Sequence, residues 1–302
     1  MWQNKRRKIQ DFDSSSDSSE DDFFDDSSSS YPSGSDDEPG ILEWGFCDAP
    51  GPDELNDNEF TRSYRLKKST FNFILELIQT DIEEWTDSDI IKTPENDPKM
   101  ILMFAIGKLI TKDPDNGFFG KREDGIGKAT GWRMIRCVVN ALYSHRHAFI
   151  KWPDAARAEE ISEKLKEKYK SKKPIGLISR SEVKTFYQIS RMKPKPFGKV
   201  INRTMPFQII SDHEGQIMHV ATGEAVASDK VKVLRSSRFE NVPIKRNFVK
   251  DDHLIGVLKD RIKSLKGELP KRRVDVEKLI CACCVLHNIY GMLNDQMPAE
   301  KK

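Results

Sequence analysis

The chain has 302 residues, 37% of them hydrophobic, with 50 Lys and Arg against 48 Asp and Glu for a net charge of +2. That is material for one large domain or two small ones plus a tail, and the longest apolar stretch, residues 279–293, is too short and too interrupted by His287 and Asn288 to span a bilayer. The small net charge hides an asymmetry: residues 1–10 hold four basic residues and no acids, and residues 11–40 hold eleven acids and no bases. The remainder is therefore net basic, which a nucleic-acid partner would favour and which an ordinary lysine-rich surface also shows.

Lys5, Arg6, Arg7 and Lys8 form a compact basic cluster of the kind read as a nuclear-import signal; a chance basic patch is the alternative. Residues 11–40 are Ser, Asp and Glu with almost nothing to bury, so they cannot offset the entropy of ordering. Residues 1–52 are accordingly expected to be a disordered, separable tail, and serines followed by acids within it suit an acid-directed kinase. The five cysteines, Cys47, Cys137, Cys281, Cys283 and Cys284, are odd in number, and three lie in one apolar helix. Together with the absence of a signal-peptide pattern this points to a reducing compartment. Cys281, Cys284 and His287 could share a helix face as zinc ligands, but no second ligand pair stands at a suitable spacing, so core packing is expected.

Residues 53–154 read as helical. Phe60, Tyr64, Leu66, Phe71, Ile74, Leu75 and Ile78 recur at helical spacing, with Ser69 or Thr70 placed to cap the second helix. Residues 100–110 predict another helix. After a turn at Asp113 to Gly117 and the Gly125-Ile126-Gly127 stretch comes a helix over 132–144, a helix-turn-helix outline. Lys128, Arg133 and Arg136 are its candidate DNA contacts, with Ile135, Val138, Val139 and Leu142 on the opposite side; a plain helical bundle carrying surface arginines is the other reading.

Residues 155–302 form the second predicted region. A Lys/Glu-rich helix over 155–170 presents a solvated face supported by i,i+4 pairs. Strands follow over 175–186, 207–211 and 217–221, the last two joined by a hairpin turn at Asp212-His213-Glu214-Gly215-Gln216, and then a helix over 228–238. Leu254, Ile255, Leu258, Ile262 and Leu265 mark an amphipathic helix. A basic turn over 267–273, containing Pro270, leads to a helix apolar on nearly every side, which belongs in a core. Residues 239–252 are too short and polar to supply a full central strand with its loops, with at most one brief strand over 242–249. Strand one should then keep a free edge while the last helix covers part of the sheet face.

Several of these strings resemble the Harbinger (PIF-type) transposases and the nucleases derived from them. Asp252 followed by Ile255-Gly256-Val257-Leu258-Lys259-Asp260-Arg261-Ile262 is similar to an acid ahead of the family's "FG-x-LK-x-RF" helix, and Ala282-Cys283-Cys284-Val285-Leu286-His287-Asn288-Ile289 to its "ACCVLHNI". Phe207 to Asp212 resembles the "L-Q-A-V-x-D" strand, and Gly223 to Ser236 the "G-x-P-G-S-x-H-D" segment. The resemblance implies an α+β architecture: a helix-turn-helix-like region followed by a truncated ribonuclease-H-like domain of the DDE endonuclease type.

Enzymes of that fold cut DNA with carboxylates holding two divalent cations roughly 3.5–4 Å apart, and hard cations such as magnesium or manganese need oxygen ligands. Carried over residue by residue, the family's first acid falls at Ser179, the "H-D" acid at Asp229 and the last acid at Asp252, while the "G-D-x-A-Y" acid has no counterpart. By this resemblance Asp229 and Asp252 are the remnant metal positions; the other reading, and the favoured one, is merely exposed acids with no metal, since a half-set of carboxylates holds magnesium weakly. The resulting expectation is a domesticated, non-catalytic nuclear protein that binds DNA, chromatin or a protein partner, a Myb-like protein being one the family implies, with no membrane or small-molecule substrate. An active metal-dependent endonuclease, requiring Mg or Mn, and a module acting through its acidic tail stand as the alternatives.

Overall fold

A computed structural model describes residues 55–88, 97–111, 128–170, 173–188, 200–223, 247–270 and 275–295. The basic cluster at Lys5 to Lys8, the acidic tail, the turn at 113–117, the helix over 228–238 and Asp229 lie outside these residues.

Helix α1 (Asp57–Tyr64) opens with a capping box: the Asn56 side chain accepts from the Glu59 N–H at 2.9 Å while the Glu59 carboxylate accepts from the Asn56 N–H at 3.0 Å. Helix α2 (Lys68–Ser88) starts earlier than its expected cap, leaving Ser69 and Thr70 inside the first turn. A carboxylate from the far end of the chain, Asp295, instead accepts from the Lys67 N–H at 2.8 Å. Helix α3 (Pro98–Ile106) carries proline in its first turn and the Asp97 cap before it. It runs on as a π-helical turn, Gly107–Thr111. Helix α4 (Lys128–Ser144) is followed by the short α5 (Arg146–Phe149) and by α6 (Ala155–Tyr169), capped by Asp154.

The sheet then forms from β1 (Pro174–Gln188), β2 (Val200–Ser211), β3 (Ile217–Thr222) and β4 (Asn247–Lys250) in the order β3-β2-β1-β4. Helix α7 (His253–Arg261), a 3-10 turn (Lys263–Lys266), β5 (Glu268–Pro270) and α8 (Val276–Met292) complete the chain's described part. The expected α+β class is the observed one. Strand β2 begins well before the expected start at Phe207, running through Pro206. That proline sends its carbonyl to the Gly223 N–H at 3.0 Å, past the end of β3, so its missing N–H leaves no gap in the β1 ladder.

The sheet is covered on both faces, as strand alternation requires. Ile209 and Ile217 face the core shared with α4 and α8, whereas Ile210 and Met218 face α6, which buries only Ile161 and Leu165 among its charges. The first of these cores runs from Phe60 in α1 to Tyr290 in α8. Packing is therefore continuous across the boundary expected at residue 154.

The expectation of a free edge on β1 is overturned. β4 pairs with it in parallel, Gly176 opposite Phe248 and Ile178 opposite Lys250, and β5 pairs in parallel farther along, Lys184 opposite Glu268. Between them the Lys259 ammonium, from α7, donates to the Glu182 carbonyl at 2.7 Å. Two short strands and one side chain take the place of one long strand. Of the strands, β5 lies in what the sequence marks as a turn, because its three residues, proline among them, carry no local strand signal.

Candidate functional site

Ser179 and Asp252, two of the positions picked out by the resemblance, lie near the end of β4. Ser179 is 1% exposed in the middle of β1, and its hydroxyl donates to the main-chain carbonyl of Asp251. Asp251 continues the ladder, its N–H donating to the Ile178 carbonyl at 3.2 Å. Both oxygens of its carboxylate are engaged: Oδ2 accepts from the Tyr169 hydroxyl at 2.6 Å and Oδ1 from the His253 N–H at 2.8 Å. The Tyr169 hydroxyl first, then the His253 amide, hold this carboxyl below the ordinary Asp range, and the same contact raises the tyrosine. Asp252 turns outward: its side chain is 55% exposed and pairs with the Lys250 ammonium at 3.0 Å. Among the described residues, no group of three or more His, Cys, Asp or Glu side chains is placed to hold a metal ion together.

A second acidic cluster, which sequence reading passed over, lies at the β2–β3 hairpin. Asp212 is buried and accepts from the amides of Glu214 (2.9 Å) and Gln216 (2.8 Å) through Oδ1, which builds the turn. Its Oδ2 accepts from Arg157 at 3.0 Å, and the same guanidinium reaches Glu160 and Glu214. These carboxylates are thus spoken for by one arginine, whose pKa the hydrogen bonds to Glu160 and then Glu214 raise. The signal available in the sequence was Asp212 at the hairpin; its partner, 55 residues away, had none.

The string matched on α8 proves architectural. The Asn288 side chain, 3% exposed, accepts from the Ile217 N–H at 2.8 Å and donates to the Ile217 and Phe149 carbonyls at 2.7 and 3.0 Å. Nε2 of His287 lies 3.0 Å from the Gly215 carbonyl, and burial lowers the imidazole's pKa. The neighbouring thiols are core groups: Cys283 and Cys284 are buried, and desolvation pushes Cys281 up to about 11. No zinc ligand set forms from them, since His287 is turned to the hairpin.

Arg133 and Arg136 stand on α4, a helix buried on most of its circumference against α2, α3 and α8. Along it only Arg133, Arg136, Asn140, Tyr143 and Ser144 retain exposure from Gly131 onward. Lys128 is the helix's first residue.

No family model matches the chain, and no solved structure matches it. Over 201 residues it is 23% identical to the Arabidopsis thaliana protein named Antagonist of Like Heterochromatin Protein 1, covering 65% of this chain and 50% of that protein. The chain thus spans about half the length of the curated relative it matches.

Proposed function

We propose that the chain is a nuclear protein built on a Harbinger-type, transposase-derived scaffold that no longer cleaves DNA and acts by binding DNA, chromatin or a protein associated with it. The observation that carries this reading is Ser179. At the position where the family places its first metal-binding acid stands a buried hydroxyl whose proton is given to a main-chain carbonyl. A hard divalent cation needs several oxygen ligands, preferably charged. Nearby, Asp251 has both oxygens occupied and Asp252 is paired outward with Lys250. This donor set does not fit a two-metal site.

The distant relative's name, as an antagonist of a heterochromatin protein, supports a chromatin setting. The basic cluster at Lys5 to Lys8 supports nuclear import. No described helix is long and apolar enough to cross a membrane.

Incubation of the purified chain with supercoiled and linear duplex DNA in Mg²⁺ and then Mn²⁺ tests the reading. The expected outcome is no cleavage above that of a buffer control. Cleavage that disappears in Asp252→Ala or Asp229→Ala would establish a rearranged nuclease site and overturn it.

A further inference from the structure

We infer that the exposed stripe of α4, extended by α5 and the start of α8, is a preorganised docking surface for the phosphate backbone of duplex DNA; this rests on the DNA-binding reading above. Three observations combine. First, at 100° per residue Arg133, Arg136, Asn140, Tyr143 and Ser144 fall on one side of α4, and they are the residues beyond Gly131 that packing leaves accessible. The stripe contains no acid. From Arg133 to Ser144 it is roughly 16 Å long, at 1.5 Å rise per residue, a span over which one DNA strand presents about five phosphates.

Second, cations from two further elements converge on its C-terminal end. The Arg146 guanidinium of α5 stands 4.0 Å from the centroid of the Tyr143 ring, and the Lys278 ammonium of α8 stands 5.8 Å from it. Arg146 is also tied by a 2.9 Å hydrogen bond from Nη1 to the Tyr143 carbonyl. The ring and the carbonyl thus hold the Arg146 side chain with part of its ordering entropy already spent, and Lys278 comes within reach of the same ring. With Arg146 over it, that ring face is not free for an unpaired base to stack on, which favours backbone contact over single-strand binding.

Third, the acids close by have partners of their own. Asp81 is held by His145 at 2.8 Å, Glu277 accepts from the Thr222 hydroxyl at 3.1 Å, and Asp275 accepts from the amides of Glu277 and Lys278 at 3.0 and 3.2 Å. The positive charges at Arg133, Arg146 and Lys278 therefore act together on the solvent side. The surface positions DNA and reads no bases, so its contribution is uniform across sequences.

Binding of the full chain to a mixed-sequence duplex, followed by fluorescence anisotropy from 50 to 300 mM salt, tests this. Each phosphate contact contributes roughly 0.9 to the log–log salt slope. Arg133→Gln/Arg146→Gln/Lys278→Gln should therefore lower the slope by about 2 to 3 and weaken binding more than tenfold at low salt. Arg133→Lys/Arg146→Lys, which keeps the charge, should hold the slope, and Lys164→Gln/Lys166→Gln on α6 should match the unaltered chain. Thermal melting of each variant separates loss of charge from loss of fold; if the triple variant melts early, Lys278→Gln alone is read, with an expected slope change of about 1. If the unaltered chain binds duplex DNA and the variants keep its slope, this surface is not the interface although DNA binding stands. If the unaltered chain fails to bind duplex, or binds single-stranded RNA more tightly, both this surface's assignment and the DNA reading fall.

Discussion

At the scale of single residues, burial sets how one histidine of the sheet responds to acid. His219 sits on β3, 4% exposed, and burial lowers its pKa from 6.5 to about 4. Its folded-state value lies below the unfolded one, so the unfolded chain takes up the proton first. The stability it contributes is complete above about 6.5 and is lost as pH falls from there towards 4, by about 3 kcal/mol in all. Asp251, whose pKa is also lowered, adds a loss of the same sign at lower pH, beginning near the ordinary value of 3.8. Urea midpoints between pH 7 and 4.5 should therefore fall steadily, and His219→Gln should flatten that decline; an equally steep decline in the variant would assign it to other groups. That a serine stands at 179 on strand one and an acid at 252 ahead of α7 could be read from the sequence; the burial of the first and the exposure of the second could not. Nor could the engagement of Asp251 by Tyr169, because nothing local to either residue names a partner on another element.

At the scale of elements, the start of α2 is held by a polar group reaching in from far along the chain. Asp295, fully enclosed, accepts from the Lys67 N–H at the start of α2 and pairs with Arg261 of α7 at 3.2 Å, while Arg261 lies 3.8 Å from the Tyr290 ring. Asp295→Ala would leave a buried guanidinium without its counter-charge and a helix start without its acceptor. Removing one member of a buried pair costs about 3–5 kcal/mol, and a urea midpoint shift of that size is expected; a change below about 1 kcal/mol would class the pair with exposed ones. Helices α1, α2, α4, α6 and α8 and the β2–β3 hairpin were readable because period and capping residues are local properties. Strand β5 and the cap from Asp295 were unreadable for the opposite reason. A three-residue strand containing Pro270 is made by its neighbour β1, and Ser69 and Thr70 offered a plausible local cap that the distant carboxylate displaced.

At the scale of the molecule, the helical segment and the sheet segment depend on the same interior. Helix α8 buries Leu279, Ile280, Ala282, Cys283, Cys284, Val285, Leu286 and Ile289, and it packs on α4, α5 and β3. A fragment of residues 155–302 would expose the α4-facing side of that helix. It should express insolubly or melt without a cooperative transition, and a cooperative melt by circular dichroism would show that the sheet stands alone. The sequence could not settle this, since an all-round apolar helix announces that it is buried without saying against what. The long reach of the Asp295 carboxylate to the head of α2, 228 residues away, also has a consequence for birth on the ribosome. The helices from Phe60 to Leu142 emerge long before α8 does, and at roughly 5–20 residues per second they wait on the order of ten seconds or more for the segment that completes their interior. During that interval their apolar faces are open to holding chaperones, and premature termination before α8 leaves a nascent chain without the segment that closes this core.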